Sequence, residues 1–109
     1  MTDNGKAQEV VKHIQAALTE MWEAEKMADE MGVRLCRVLR LSGAGQENHI
    51  QIFKGIDKFA DALGKETYNE PWSDGVNCSR RIDYKGVRFV QLADAERDKD
   101  GKVVSFIWR

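Results

Sequence analysis

Few residues in this 109-residue chain have types that could do chemistry. Two histidines and two cysteines, His13, Cys36, His49 and Cys78, are the candidates for metal ligation or nucleophilic catalysis. A zinc site needs several such ligands at suitable spacing. These four are scattered with no close pair, and His13 falls on the flank of a helical pattern as a solvated side chain. A nucleophile needs a base and a group that orients the base. Cys78, His49 and a carboxylate can be written as such a trio, but no spacing brings them together. The segment Glu96-Arg97-Asp98-Lys99-Asp100-Gly101 imitates the start of a calcium loop, with Val103 at the usual apolar position. Position 12 of that loop would be Ile107, where a bidentate glutamate is required, and a strand pattern follows in place of a helix. An acidic hairpin loop fits better. Gly43-Ala44-Gly45 lies between strand patterns, the wrong context for a phosphate cradle. The expectation is a non-enzymatic chain with no catalytic, cofactor-binding or metal-ligating residue.

Arginines and tryptophans remain. Arg34, Arg37, Arg40, Arg80, Arg81 and Arg88 are of the residue type that forks onto phosphate. The segment Phe59-Ala60-Asp61-Ala62-Leu63-Gly64 resembles the first half of a helix-turn-helix. The segment after it, with Thr67, Tyr68 and Pro71, makes a poor recognition helix. The competing reading, arginines paired with nearby carboxylates, is the stronger one. Trp22 lies beside a helical stripe, Trp72 in a proline loop and Trp108 in the last strand pattern. Tryptophan is enriched at interface hot spots and is also good core material. Trp108 is expected in the core and Trp72 at an interface.

The elements that must position these residues begin with a helix. Ala7, Val10, Ile14, Ala17, Met21, Ala24, Ala28 and Met31 follow alternating three- and four-residue spacing, and Val11 and Leu18 widen the stripe. Asp3 or Asn4 is the expected N-cap, and Gly32 suits the left-handed residue past the end. Half of the eight stripe positions are alanine, a weak two-stranded seam. Packing of the helix on its own sheet is favoured over a homodimer seam, which stays open as an alternative. Residues 33–41 read as a strand, with a helical continuation of the stripe as the alternative, 42–48 as a loop and 49–53 as an alternating strand. Ile56, Phe59, Ala60 and Leu63 form one face of a short helix that Gly64 ends. A short strand over 65–70 precedes a loop punctuated by Pro71 and Asp74-Gly75. The last third reads as a meander. Residues 80–84 and 87–92 flank Lys85-Gly86, so that Tyr84 opposes Val87, Ile82 opposes Phe89 and Asp83 opposes Arg88. A final strand covers 102–108. The expected architecture is an α+β single domain over 1–109: a long N-terminal helix on a mainly antiparallel sheet of about five to six strands, with one short second helix.

Composition is that of a globular chain, 42% hydrophobic and 32% charged, with net charge −1. That total gives no electrostatic case for nucleic acid or acidic membranes. The distribution is uneven: residues 1–31 sum to −4 and residues 32–92 to +3. No apolar run approaches the roughly 18 residues of a membrane span. The first residues lack a signal-peptide pattern, and two cysteines make no disulfide framework. Cytoplasmic residence, in a bacterial or phage-infected cell, is the expectation. The segments His49-Ile50-Gln51-Ile52-Phe53-Lys54-Gly55-Ile56-Asp57-Lys58-Phe59-Ala60 and Tyr84-Lys85-Gly86-Val87-Arg88-Phe89-Val90-Gln91-Leu92 resemble short uncharacterised accessory proteins of bacterial phages and mobile elements. The resemblance covers residues 49–92 and carries no catalytic residues. It implies a setting in which small proteins bind and inhibit host factors, defence components among them. The expected partner is therefore a host protein, engaged through Trp22, Glu23, Glu30, Arg37, Arg40, Trp72 and Arg81. The alternatives are a nucleic-acid regulator using the six arginines, and a small-ligand binder using His49 and Gln51.

Overall fold

A computed structural model describes residues 2–40, 48–72 and 77–109, and for residues 37–40 the backbone alone. The expected loop around Gly43-Ala44-Gly45 and the Asp74-Gly75 turn lie outside the described residues. Helix α1 spans Asp3–Glu30, about 42 Å at 1.5 Å per residue. Its N-cap is Thr2, one residue ahead of the expected Asp3 or Asn4. The Thr2 hydroxyl accepts from the Gly5 amide at 3.1 Å, which relieves one of the unpaired donors of the first turn. Gly32 turns the chain out of the helix with φ +78, as its position predicts.

Among the described residues, seven strands and one further helix follow. They are β1 (Arg34–Arg40), β2 (Asn48–Lys54), α2 (Ile56–Leu63), β3 (Tyr68–Pro71), β4 (Cys78–Tyr84), β5 (Val87–Leu92), β6 (Asp94–Arg97) and β7 (Val103–Ile107). Five strands form one sheet in the order β1-β2-β5-β4-β3. All its pairings are antiparallel except β2 with β5 at the centre, which is parallel. The chain is therefore α+β, with a long helix, a short helix and a mainly antiparallel mixed sheet. The β4–β5 hairpin has the register that its residues predict: Tyr84 opposite Val87, Asp83 opposite Arg88 and Ile82 opposite Phe89. Lys85 and Gly86 both take positive φ, +49 and +79, the primed turn whose twist matches that of the strands.

Three details depart from the expectation. Pro71 closes strand β3 rather than opening a loop. An edge strand tolerates a proline because it leaves no ladder bond broken. The meander stops at β5, because β2 occupies the other edge of that strand. The final strand β7 pairs instead with β6 in a separate two-stranded sheet. Strand β6 lies in the segment that reads as polar loop, since Asp94-Ala95-Glu96-Arg97 has no apolar alternation to announce it. Its hairpin is closed by Asp98, whose Oδ1 accepts from the amides of Asp100 and Lys102, both at 2.9 Å. The calcium-like spelling thus serves a turn held by its own backbone.

The core lies between α2 and one face of the sheet. Val33, Ile52, Ile56, Ala60 and Ile82 are buried there with Ala28, and Met31, Leu35, Phe59 and Phe89 pack around them. Phe59 of α2 meets Phe89 of β5 edge to face, with ring centroids 5.0 Å apart. Helix α1 joins this core through its last turn alone. Ala28 is buried, whereas Val10, Val11, Ile14, Leu18, Trp22 and Met27 are each more than half exposed. The body is too short to cover 28 helical residues, so the helix runs past it. The longest dimension is 62 Å and the radius of gyration 17.6 Å, against about 13 Å for a compact chain of this length.

Candidate partner-binding surface

Alternation along the strands sorts the side chains onto two faces. One face carries Ile50, Ile52, Phe89, Gln91, Arg80 and Ile82, and both helices contribute to the core on that side. The other carries His49, Gln51, Phe53, Tyr68, Arg81, Asp83, Arg88, Val90 and Leu92, with Trp72 just beyond β3. No described helix lies over this second face. Its large apolar side chains are correspondingly open to solvent: Phe53, Tyr68, Trp72 and Leu92 are all exposed.

A hollow of about 270 Å³ opens on that face, walled by Trp72, Arg81, His49, Gln51, Val90 and Leu92. Its position follows from the register, since β5 runs between β2 and β4 and brings Val90 level with Gln51 on one side and Arg81 on the other. Trp72 is fixed by its amide, which donates to the Asn77 carbonyl at 2.9 Å across the end of the β3–β4 pair. The Arg81 side chain is anchored at one point, where Nε donates to Ser79 Oγ at 3.0 Å. Ser79 is itself buried, and its hydroxyl donates to the Glu70 carbonyl at 3.4 Å.

Toward the hairpin end of the same face, Tyr68, Asp83 and Arg88 form a polar network. The Tyr68 hydroxyl donates to Asp83 Oδ2 at 2.7 Å, and Arg88 Nε donates to Asp83 Oδ1 at 2.7 Å. The hydrogen bond from Arg88, seconded by Tyr68, holds the Asp83 carboxyl below the usual carboxylate range against a desolvation that opposes it. Burial first, and then the bond to Asp83, push the Tyr68 phenol above its ordinary value. Because the folded Asp83 titrates lower than in the unfolded chain, its contribution to stability is present above the ordinary carboxylate pKa. That contribution is lost as pH falls through the lowered value. For Tyr68 the sign reverses, and the contribution is full below the ordinary phenol pKa and lost as pH rises through the raised one. In a Tyr84→Phe background, ultraviolet titration of Tyr68 is expected to move part of the way back down in Asp83→Asn. An unchanged midpoint would show that the hydrogen bond has no part in the shift.

Arg80 and Arg88 are each paired with a carboxylate. Arg80 points to the core side, where Nη1 meets Asp57 Oδ2 at 2.7 Å and Nε donates to Asn69 Oδ1 at 2.9 Å. Its guanidinium also stacks on Trp108, 4.2 Å from the ring centroid. Trp108 is accordingly half-buried under an arginine rather than enclosed in the apolar core. Arg88 is paired with Asp83. Two of the six arginines considered for phosphate are therefore committed to carboxylates, in line with the stronger of the two sequence readings.

Of the expected partner-binding residues, the fold brings together Trp72 and Arg81, and joins to them His49 and Gln51 from the ligand reading. Trp22, Glu23 and Glu30 are exposed on α1, away from that hollow, and Lys26 lies 4.9 Å from the Trp22 ring centroid. Arg37 and Arg40 are in β1, where the Arg40 backbone pairs with His49, and their side chains lie outside the described residues. Tyr68, Val90 and Leu92 are additions from the structure. The alternation Arg88-Val90-Leu92 could have placed the latter two, but only once β5 was known to have an open face. Among the described residues no cluster of three or more His, Cys, Asp or Glu is placed to hold a metal, and no helix is long and apolar enough to cross a membrane. Comparison with known proteins finds no matching family model, no matching curated protein and no matching solved structure.

Proposed function

We propose that this chain is a non-enzymatic interaction protein of a phage or mobile element that binds a host protein, a defence component among the candidates, through the open face of its sheet. The observation that supports this reading is the hollow where Trp72, Arg81, Val90 and Leu92 meet on a face that no described helix covers. Tryptophan, tyrosine and arginine are the residue types that dominate interface hot spots, and Trp72, Tyr68 and Arg81 share this face. The hollow, about 270 Å³, is smaller than the roughly 300–1,000 Å³ typical of small-molecule pockets. It suits one or two partner side chains better than a whole ligand. Trp72→Ala and Arg81→Ala are expected to cost at least tenfold each in partner affinity, as hot-spot truncations do. Affinity capture from bacterial lysates, with the Trp72→Ala/Arg81→Ala chain alongside, is the measurement. A host protein retained by the native chain and lost from the double variant supports the reading. Identical captures, or none from several hosts, would sink it.

A further inference from the structure

We propose that the chain self-associates through α1, the stripe from Ala7 to Ala24 of one copy packing antiparallel on the same stripe of a second copy. The proposal is independent of the sheet-face reading, since it uses a surface on the opposite part of the molecule. A heptad stripe runs the length of α1, yet its positions meet two different environments. Ala28 and Met31, at the C-terminal end, are in the chain's own core. Val10, Ile14 and their flanking partners Val11 and Leu18 are more than half exposed. A stripe of this kind along a projecting helix is a surface that water leaves poorly satisfied.

The body of the chain decides the direction. It occupies the stripe side of α1 at residues 28 and 31, so a parallel partner would have to place its own residues 28 and 31, and its own sheet, in that same space. An antiparallel partner brings only its first helical turn there. Charge points the same way. Residues 3–16 sum to zero and include Lys6 and Lys12, whereas residues 17–30 sum to −4. Parallel pairing would set the two acidic halves side by side. Antiparallel pairing lays each acidic half along the neutral half that holds the lysines.

Side-chain size fits the same arrangement. With Ala7 level with Ala24 of the second copy, Val10 meets Met21, and at the centre Ile14 meets Ala17, large against small. Val11 then flanks Leu18, and His13 lies beside Glu20. Ala17, which makes a thin seam when it faces its own twin, becomes the recess that Ile14 of the other copy fills.

Sedimentation equilibrium of the full chain tests this directly. The native mass is expected to rise with concentration from 12.4 kDa toward twice that value. Ile14→Glu/Leu18→Glu is expected to stay at the single-chain mass with the sheet intact, because both side chains are already solvent-exposed in the isolated chain. Thr19→Glu, on the opposite side of α1, is expected to associate like the native chain. Direction is read by oxidising a mixture of Ala7→Cys and Ala24→Cys chains in a Cys36→Ser/Cys78→Ala background. Cross-links between the two different chains support antiparallel pairing. A single-chain mass for the native protein at every concentration, an undiminished dimer in the double glutamate variant, or cross-links of each cysteine chain to itself would overturn the proposal.

Discussion

Gly55→Ala is expected to remove about 3 kcal/mol of folding stability, combining the αL cost for a non-glycine residue with the cost of overpacking. Gly55 links β2 to α2 and takes φ +93. A Cβ at this position would lie 2.8 Å from the Gly32 carbonyl oxygen and 3.0 Å from Val33 Cα. Both are backbone atoms, so no side chain can swing aside. The Gly55 amide also donates to the Arg109 carbonyl at 2.8 Å, a bond that any backbone shift would stretch. The residue therefore sits where the β1 entrance, the start of α2 and the end of β7 converge. Domains of this kind are stable by about 5–15 kcal/mol in total, so the loss is a large share. Urea denaturation of the variant beside Gly86→Ala is the measurement. Gly86 also has positive φ, but its added Cβ would meet nothing within 4 Å, so its cost is expected to be about 1–2 kcal/mol. Equal losses at the two glycines would show that the close approach at Gly55 contributes nothing.

Gln91→Leu is the second large effect, expected at about 2–3 kcal/mol for an orphaned buried donor and a lost hydrogen bond. Gln91 is 1% exposed, on the core side of β5. Its Oε1 accepts from the Ile56 amide at 2.9 Å, and its Nε2 donates to the Arg109 carbonyl at 2.7 Å. Gly55 is the N-cap residue of helix α2 and has no side chain with which to cap it. The cap is supplied from 35 residues away by Gln91. Leucine fills the same space but leaves the Ile56 amide buried without a partner. Gln51→Leu, on the open face of the neighbouring strand, is expected to stay within about 0.5 kcal/mol. Thermal unfolding of the two variants separates a buried hydrogen-bonding role from generic loss of a polar strand residue.

These two positions show where sequence reasoning reaches and where it ends. Helix α1, helix α2 and the β4–β5 hairpin are legible because each signal is local. Period-3.6 apolar spacing, a glycine past each helix end, and a Lys85-Gly86 turn between alternating runs need no knowledge of the rest of the chain. The same holds for the Asp83–Arg88 pair, which follows from hairpin register alone. Gln91 offers no such signal. In the text it is a polar residue between Val90 and Leu92, and only the placement of α2 and Arg109 makes it a cap. The parallel pairing of β2 with β5 is likewise invisible, because it joins strands whose partners are set by crossover of the chain rather than by a turn.

The candidate surface divides in the same manner. Trp72 and Arg81 stand out as residue types suited to an interface, but they are nine residues apart, Trp72 just beyond β3 and Arg81 on β4. Their meeting with His49, Val90 and Leu92 depends on strand order. Conversely Arg80 and Arg81, adjacent in the chain, part company because successive strand residues face opposite ways. Arg80 goes to Asp57 and Trp108, and Arg81 to the hollow.

By itself the sequence determined the α+β class, the two helices, the central hairpin with its register, and the amphipathic stripe of α1. Each of these rests on interactions between residues close in the chain, where periodicity and turn chemistry act directly. Tertiary structure alone decided that the stripe outruns the body, that no described helix covers one sheet face, and that Gln91 caps α2. Those outcomes depend on which surfaces are left after distant segments have packed.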